Sequence, residues 1–237
     1  MPPVASLSRS FKDFDVDLTL FDLDGTLIPQ DSDHAFGGYM VEIGWADGAA
    51  WAARNDEFYA DYQRGDLDLD KYVEFATSVW RARPLAEAEA ARTDFMARIV
   101  APMLRDNARA LVQRHLDAGD LVVVVTATNE FVTAPIAKAF GIDHLIAVQL
   151  ERDATGSFTG RVHGTPSFQA GKIVRVNEWL AAQGRRWEDF ERVHFYSDSM
   201  NDLPLLERVS HPVATNPTSA LEALARERGW PILKLFE

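Results

Sequence analysis

The segment that decides the fold of this 237-residue chain is Leu18–Asp33, which reads LTLFDLDGTLIPQDSD. Its apolar run ends abruptly at Asp22, and three further aspartates follow at positions 24, 31 and 33. No Lys or Arg occurs between positions 13 and 53, so the sequence offers these carboxylates no nearby positive side chain. Carboxylates crowded at the end of a buried strand repel one another unless a cation lies among them. The segment therefore predicts an acidic site that requires a counter-ion.

The composition narrows the classes of protein to which the chain can belong. Hydrophobic residues make up 47% of the chain and charged residues 25%, which is typical of a soluble globular protein. The net charge of −12 argues against a nucleic-acid partner and against an anionic membrane surface, because both attract basic proteins. The absence of cysteine excludes disulfides, zinc–thiolate sites, iron–sulfur clusters and a cysteine nucleophile.

The N-terminal sequence, MPPVASLSRSFKDFDVD, lacks the apolar core of a signal peptide. No apolar run in the chain reaches the roughly 18–20 residues that a membrane-spanning helix needs. We therefore expect a cytoplasmic protein without a membrane partner. The sequence leaves the oligomeric state open and allows a homodimer.

Strand and helix patterns divide the chain into three regions. Asp17–Phe21 predicts a short buried strand, because it is apolar from Leu18 onward apart from one Thr. From about Asp31 to Met103, Ala and aromatic residues recur at helical spacing and predict about four helices. Strand and helix patterns then alternate, beginning with the β-branched run LVVVVTAT, which is typical of a strand buried on both faces. Later segments predict a strand in HLIAVQLE, half of a hairpin in GSFTGRV and a helix in SFQAGKIVRVNEWLAAQG.

This order of elements predicts the α/β class, with a doubly wound parallel sheet and an inserted all-helical cap domain. We assign residues 1–30 and 103–237 to the α/β core and residues 31–102 to the helical cap. An insertion directly after the first strand emerges at the carboxyl edge of the sheet. Ligands bind at that edge, so a lid would lie there.

Polar residues end three of the predicted strands, at Asp22, Thr126 and Asp198. Because the carboxyl ends of parallel strands meet at one edge of a sheet, we expect Asp22 and Asp198 to face each other. Mg²⁺ prefers hard oxygen ligands and is usually bound through one or two carboxylates together with phosphate oxygens. We therefore predict Mg²⁺ as the cofactor that offsets the negative charge of the aspartates in Leu18–Asp33.

Four motifs, in order along the chain, resemble those of the haloacid dehalogenase superfamily. They are FDLDGTL, Thr126 at the end of an apolar strand, Lys172 in AGKIV, and SDSMND with Asp198, Asn201 and Asp202. The resemblance extends from Asp17 to Pro217, and the helical insertion after the first motif resembles the phosphoserine-phosphatase-like branch. It implies the Rossmann-like core of that superfamily and a small phosphorylated metabolite as substrate.

The resemblance also implies catalytic roles. Asp22 would attack phosphorus and form an aspartyl-phosphate, which divides the hydrolysis into two easier steps. Asp24 would protonate the leaving oxygen as a general acid and then activate water as a general base. Thr126 and the backbone N–H groups of Ala127 and Thr128 would hold the phosphate oxygens.

The same resemblance implies how the charges at the site are balanced. Lys172 would neutralise the phosphate and the nucleophile. The predicted metal residues are Asp22, Asp24 through its backbone carbonyl, Asp198, and Asp202 acting indirectly or through a water molecule. Taken alone, each residue has an ordinary structural explanation, such as a turn, a helix cap or a solvated lysine. Their combination in the expected order is what predicts a site.

The substrate-binding positions differ from those of the phosphoserine phosphatases that the sequence resembles. Thr128 stands where those enzymes usually have Gly, and Asp31 stands where they have Glu. A rough alignment places Glu74 where they have an Arg that grips the carboxylate of the substrate. The stretch QDSDHAF resembles a subgroup that includes histidinol-phosphate phosphatases. A pocket with Asp31 and Asp33 suits the ammonium and imidazole groups of histidinol phosphate.

We therefore predict hydrolysis of a small amine-bearing phosphate monoester, with histidinol phosphate placed before phosphoserine. Arg54 and Arg64 are candidates to replace the missing Arg, with Arg54 preferred as a substrate contact, and Asn201 is predicted to orient the substrate or Asp198. Within the superfamily, the alternatives are a broad-specificity sugar-phosphate phosphatase and a phosphotransferase. The alternative from another class is a non-catalytic binding module that keeps the fold.

Overall fold

A parallel β-sheet forms the centre of the protein in the computed structural model, which describes residues 16–236. The strands of this part of the chain are Leu18–Phe21 (β1), Leu121–Asn129 (β2), His144–Val148 (β3), Leu150–Arg152 (β4), Phe158–Val162 (β5), Val193–Ser197 (β6), His211–Thr215 (β7) and Ile232–Leu233 (β8). The α-helices are Ser32–Glu42 (α1), Gly48–Arg64 (α2), Leu69–Arg81 (α3), Leu85–Phe95 (α4), Asp106–Ala118 (α5), Glu130–Ala139 (α6), Gly171–Ala182 (α7), Leu203–Arg208 (α8) and Ser219–Arg228 (α9). No helix among residues 16–236 combines the length and the apolar character that crossing a bilayer requires.

The strand order of the central sheet reverses at β1. Six strands lie in the order β3-β2-β1-β6-β7-β8, and β1 pairs in parallel with β2 on one side and β6 on the other. In doubly wound sheets, ligands bind at such a reversal, outside the carboxyl ends of the strands. The predicted α/β class with a doubly wound parallel sheet is confirmed.

Side chains of β1 and β2 alternate between two hydrophobic cores, one on each face of the sheet. Phe21 and Val124 belong to the core on one face, and Leu20 and Val123 belong to the core on the other. All four side chains are fully buried. A strand covered on both faces has to be almost continuously apolar, which explains the runs that predicted these strands.

Four helices, α1–α4, lie between β1 and β2 in the chain. A π-helical turn at Met96–Val100 and a 3₁₀ turn at Ala101–Met103 lead from α4 back toward the sheet. Aromatic packing joins this insertion to α6, because the rings of Trp80 and Phe131 stack with their centroids 4.1 Å apart. The division of the chain into a core and a separate cap domain at residues 31 and 102 stays a prediction.

Two of the predicted boundaries are wrong. The segment HLIAVQLE, expected to form one strand, breaks at Gln149, because Leu150 leaves the parallel sheet and pairs with Val162 of β5. The resulting β4–β5 pair is antiparallel and completes the hairpin expected from GSFTGRV. Helix α7 begins at Gly171 rather than at Ser167, because Gln169 has a φ of 48° and lies outside the helical region.

The Trp80 side chain generates a prediction about stability. Its ring stacks on Phe131 and meets Phe158 edge to face at 5.2 Å, and only 2% of it is exposed. We expect Trp80→Ala to lower the free energy of unfolding by about 3–5 kcal/mol, because the change leaves a large cavity between α3, α6 and β5. Urea unfolding followed by circular dichroism measures this loss.

Leu85→Ala is the control for this experiment, because Leu85 is 43% exposed and its truncation creates no cavity. Its effect should stay within about 0.5 kcal/mol. A loss at Trp80 that is no larger than the loss at Leu85 would show that the insertion is not held by this aromatic contact.

Candidate active site

The ends of β1 and β6 place Asp22 and Asp198 on either side of one hydroxyl group. The backbone N–H of Asp22 donates to the carbonyl of Tyr196 at 2.9 Å, which fixes β1 against β6. The Thr26 hydroxyl lies 3.4 Å from Oδ2 of Asp22 and 3.3 Å from Oδ1 of Asp198. The two carboxylates are thus neighbours, as the parallel arrangement of the strands predicts.

Gly25 makes the close approach of Asp198 possible. It has a φ of 77°, and a Cβ atom at this position would lie 2.4 Å from Oδ2 of Asp198. Any larger residue would therefore collide with the carboxylate and would also occupy the left-handed region that favours glycine. The Asp-Gly turn after β1 is a requirement of the site rather than an ordinary loop.

Lys172, in the first turn of α7, provides the positive charge closest to Asp22. Its Nζ atom donates to Oδ1 of Asp22 at 2.8 Å and to Oδ2 of Asp202 at 2.7 Å. Burial opposes the charge of Lys172, but the charges of Asp202 and Asp22 outweigh this effect and raise its pKa. The Ser197 hydroxyl donates to Asp202 at 2.8 Å, so Asp202 faces partners within the protein.

The pKa of the Asp22 carboxyl is raised to about 7, first by burial and then by the negative charges of Asp202 and Asp24. Lys172 opposes this rise but does not cancel it. Burial, followed by the charges of Asp22 and Asp202, also raises the pKa of Asp198 well above its ordinary value. One buried ammonium group is therefore too little positive charge for this cluster of carboxylates.

The Asp24 carboxylate is held on both of its oxygens. Oδ1 accepts the backbone N–H of Ser32 at 2.7 Å, and Oδ2 accepts the hydroxyl of Thr128 at 2.8 Å. Burial and the charge of Asp31 raise the pKa of Asp24 to about 7, although these hydrogen bonds oppose the rise. A carboxyl group with this pKa can exchange a proton near neutral pH, which general acid–base catalysis requires.

Two further acids of the opening segment lie where α1 begins. Asp31 caps the helix by accepting the backbone N–H of His34 at 2.8 Å. Asp33 is buried and accepts the side-chain amide of Asn129 at 3.1 Å. Burial is the main cause that raises the pKa of each carboxyl to about 7.

Three tyrosines of the helical insertion, which the sequence analysis missed, face these acids. Tyr59 and Tyr62 lie on one face of α2, and Tyr72 lies on α3. Burial and then the charges of nearby aspartates raise the pKa of all three phenols. The spacing of Tyr59 and Tyr62 predicts a shared helix face, but it does not predict what that face contacts.

Two cavities meet at Asp31, Tyr59 and Tyr62. The smaller one has a volume of about 20 Å³, and its lining includes Ala127 and Thr128. The other has a volume of about 160 Å³ and contacts Asp24, Gly25, Asp198 and Ser199 among others. Among the described residues, no Lys or Arg lines either cavity. A phosphorylated metabolite is too large for the smaller cavity as it stands, so a group of the substrate would occupy it only after its walls move.

The C-terminal end of α2 is attached to the sheet edge by two amide side chains. Asn201 donates from Nδ2 to the carbonyl of Tyr62 at 2.9 Å, and Gln169 donates to the carbonyl of Gly65 at 3.1 Å. The predicted site residue Asn201 thus contacts the insertion, and Gln169 is a neighbour that the sequence did not reveal. Thr126 is buried at the end of β2, where its hydroxyl accepts the backbone N–H of Thr128.

The residues that the sequence offers for the missing Arg do not line these cavities. Arg54 pairs with Glu57 at 2.6 Å and covers the ring of Phe58 on the surface of α2. Arg64 pairs with Asp61 in the same helix. Glu74 is exposed on α3. None of these side chains lines the space that joins Asp31 to Asp24.

The donor set at the strand ends fits the predicted Mg²⁺. Asp22 and Asp198 offer hard carboxylate oxygens close together, and burial, followed by the charges of neighbouring aspartates, raises the pKa of both groups despite Lys172. Within residues 16–236, no three acidic or histidine side chains converge on one point. This arrangement agrees with a cation held by two carboxylates, a backbone oxygen, water and phosphate rather than by a cage of side chains.

Comparison with known proteins identifies the family. The family model for haloacid dehalogenase-like hydrolases matches residues 19–207. The chain belongs to this family. A histidinol-phosphatase of Neisseria meningitidis serogroup C (strain 8013) is 45% identical to it over 216 residues, which cover 91% of this chain and 97% of that protein.

Two further comparisons place this haloacid dehalogenase-like hydrolase among its relatives. The phosphoserine phosphatase SerB1 of Mycobacterium tuberculosis (strain ATCC 25618 / H37Rv) is 32% identical over 238 residues, covering 98% of this chain and 76% of that protein. The crystal structure of a protein of unknown function from Bordetella pertussis Tohama I is 47% identical, with a TM-score of 0.88. The match covers 93% of this chain and 99% of that one. The predicted family and hydrolase class are confirmed, and the roles of individual residues stay predictions.

Lys172 generates a prediction about stability and pH. At pH 8 without added metal, we expect Lys172→Met to lower the free energy of unfolding by about 3–5 kcal/mol, because it leaves Asp22 and Asp202 buried without their cation. At pH 5 the loss should be smaller. The folded-state pKa of Asp22 is about 7 even with Lys172 in place, so at pH 5 this carboxyl takes up a proton and becomes neutral.

Urea unfolding at the two pH values measures this difference. Lys71→Met is the matched control, because Lys71 pairs with Asp68 on the surface of α3 and its side chain is 71% exposed. Its effect should stay below about 1 kcal/mol at both pH values. An equal loss at pH 5 and pH 8 for Lys172→Met would contradict the electrostatic role of Lys172.

Proposed function

We propose that this protein is a Mg²⁺-dependent phosphatase that hydrolyses histidinol phosphate through a phosphorylated Asp22. The observation that carries the proposal is the position of the Asp22 carboxylate, between the ammonium of Lys172 and the carboxylate of Asp198. A nucleophilic carboxylate needs positive charge beside it, because an anion has to approach an anionic phosphate closely. Lys172 supplies one positive charge, and Asp198 would help to hold the Mg²⁺ that supplies the rest. The relative from Neisseria meningitidis, named a histidinol-phosphatase, supports the choice of substrate.

In the first step, an oxygen of Asp22 forms a bond to phosphorus while the bond from phosphorus to the leaving oxygen breaks. Asp24 gives its proton to the leaving oxygen, so that an alcohol departs instead of an alkoxide. In the second step, Asp24 removes a proton from water, which attacks phosphorus and releases Asp22. The raised pKa of Asp24 supports both roles, because the group has to hold a proton and then accept one near neutral pH.

The residues around Asp22 bind and orient the phosphate. Thr126 and the backbone N–H groups of Ala127 and Thr128, at the end of β2, would donate to its oxygens, and the Thr128 N–H would give up its bond to the Thr126 hydroxyl to do so. Lys172 offsets the negative charge of the nucleophile and of the transferring group. Bound Mg²⁺, held by Asp22, Asp198 and the carbonyl of Asp24, would supply the remaining positive charge.

The walls of the two cavities support a cationic group as the rest of the substrate. Asp31 and Asp33 contribute carboxylates, the tyrosines contribute aromatic faces, and the described lining contains no Lys or Arg. An ammonium or imidazolium group is attracted to such a lining through charge and through the aromatic faces. The carboxylate of phosphoserine would meet only negative charge there. Phosphoserine is the second candidate, because its ammonium group can pair with Asp31 and because a named relative acts as a phosphoserine phosphatase.

The covalent mechanism predicts the result of one substitution. With saturating Mg²⁺ and p-nitrophenyl phosphate as substrate, Asp22→Asn should lower kcat by at least about 10³-fold, because the amide is a poor nucleophile. Acid-quenched wild-type protein should carry a phosphoryl group on Asp22 in mass spectrometry. Chelation of the metal should abolish turnover.

The control is Asp117→Asn, which removes an exposed carboxylate on α5 that bonds only to Gln113 among the described residues. Its activity should equal that of the wild type. Full activity of the Asp22→Asn variant with Mg²⁺ present would rule out the aspartyl-phosphate mechanism.

The lining of the cavities predicts the substrate preference. We expect kcat/KM for histidinol phosphate to exceed that for phosphoserine by at least about 100-fold, because a like-charge contact costs several kcal/mol. Asp33→Asn should reduce this ratio, since it removes one negative charge from the lining, whereas Asp117→Asn should leave it unchanged. A coupled assay for released phosphate measures both substrates. A preference for phosphoserine would overturn the assignment of the substrate while leaving the phosphatase proposal intact.

A further inference from the structure

We infer that Thr128 is a positioning residue that holds the Asp24 carboxyl in the orientation needed to protonate the leaving group. The inference rests on the proposed function, because it assumes that Asp24 is the general acid. It assigns a role to a side chain that the sequence analysis treated only through its backbone. In the phosphoserine phosphatases that the sequence resembles, this position is usually Gly, which has no hydroxyl group to offer.

The contacts of Thr128 fix its hydroxyl group relative to Asp24. Its backbone N–H donates to the hydroxyl of Thr126 at 3.1 Å, and its own hydroxyl donates to Oδ2 of Asp24 at 2.8 Å. Thr128 is 7% exposed, so water does not readily replace this bond. The β-branched side chain has few rotamers. Thr128 lies in an irregular stretch of β2 between Val125 and Asn129, and the pairing of Asn129 with Val148 ties the end of this stretch to β3. The donor is therefore held by its own buried contacts and by the paired residue that follows it.

The second partner of Asp24 determines which oxygen carries the proton. Oδ1 accepts the backbone N–H of Ser32 at 2.7 Å, and a backbone N–H can only donate. A protonated Oδ1 would therefore lose this bond. The Thr128 hydroxyl can go on donating to the remaining lone pair of a protonated Oδ2, so Oδ2 keeps this bond while its own proton points toward the leaving oxygen. The pair of contacts assigns the acidic proton to Oδ2 and prevents the carboxyl group from rotating.

Loss of the Thr128 hydroxyl should affect the expulsion of the leaving group more than any other step. While the bond from Asp22 to phosphorus forms and the bond to the leaving oxygen breaks, the proton moves from Oδ2 of Asp24 to that oxygen. A weakly acidic alcohol or phenol needs this proton. p-Nitrophenolate is stable as an anion and departs without it, so it reports on the remaining chemistry.

The experiment compares phenyl phosphate with p-nitrophenyl phosphate, which differ little in size and do not depend on the natural substrate. The parameter is kcat/KM, because it reports the steps up to the first irreversible one, the departure of the phenol. We expect Thr128→Val to lower kcat/KM for phenyl phosphate by about 10–100-fold and for p-nitrophenyl phosphate by less than about threefold. Thr128→Ser, which keeps the hydroxyl, should restore the wild-type ratio.

The matched control is Thr77→Val on α3. Thr77 is also buried, but its hydroxyl donates to the carbonyl of Val73 in its own helix, so its loss should leave the ratio of the two substrates unchanged. If Thr128→Val lowers the melting temperature too far for assay, Thr128→Ala replaces it with the same expected ratio.

Three results would count against the inference, and one of them would also count against the proposed function. An equal fall for both esters, or a failure of Thr128→Ser to restore the ratio, would reduce Thr128 to a structural role. A wild-type protein that hydrolyses neither ester, and neither histidinol phosphate nor phosphoserine, would refute the proposed function, and the inference would fall with it. The two failures are thus distinguishable from the wild-type measurement alone.

Discussion

The site depends on one buried ion pair network, in which the ammonium of Lys172 bonds to both Asp22 and Asp202. Three separate parts of the chain meet there, because Asp22 follows β1, Asp202 follows β6 and Lys172 lies in the first turn of α7. The network forms only if β1 and β6 are adjacent and parallel, which the reversal of strand order at β1 provides. The charge balance of the site therefore depends on the fold, which brings Lys172 to the two carboxylates. The stability of the sheet edge depends in turn on this cation, since buried carboxylates without a cation would destabilise it.

Lys172 alone leaves the site short of positive charge, and this deficit connects the cofactor to the substrate. Asp22, Asp24, Asp31 and Asp33 each have a pKa of about 7, and burial is the first cause in every case. A divalent cation near Asp22 and a cationic group near Asp31 would both relieve the same excess of negative charge. Under the proposed function, the phosphate of the substrate would lie near the first of these cations, and the amine of the substrate would supply the second, near Asp31.

The sequence predicts the parts of the site that follow from chain geometry. Because side chains at the ends of parallel strands meet, the proximity of Asp22 and Asp198 could be predicted before any coordinates. The contacts of Tyr72 and Gln169 could not, since they depend on how the inserted helices pack against the sheet, which no local pattern encodes. The break at Gln149 was missed for a similar reason, because an apolar run does not reveal which sheet each half joins. Arg54 was considered as a substrate contact, but Glu57 lies one turn away and binds it locally.

The contacts of Asp24 link the helical insertion to the proposed chemistry. One oxygen is held by the backbone N–H of Ser32, in the first turn of α1, and the other by Thr128 at the end of β2. The helical insertion thus holds one oxygen of Asp24, and the sheet holds the other. Movement of α1 away from the sheet would release the Ser32 contact and leave only the Thr128 contact. Under the proposed function, Asp24 would then be held on both oxygens only while the insertion lies against the sheet, which would favour proton transfer when the substrate is enclosed.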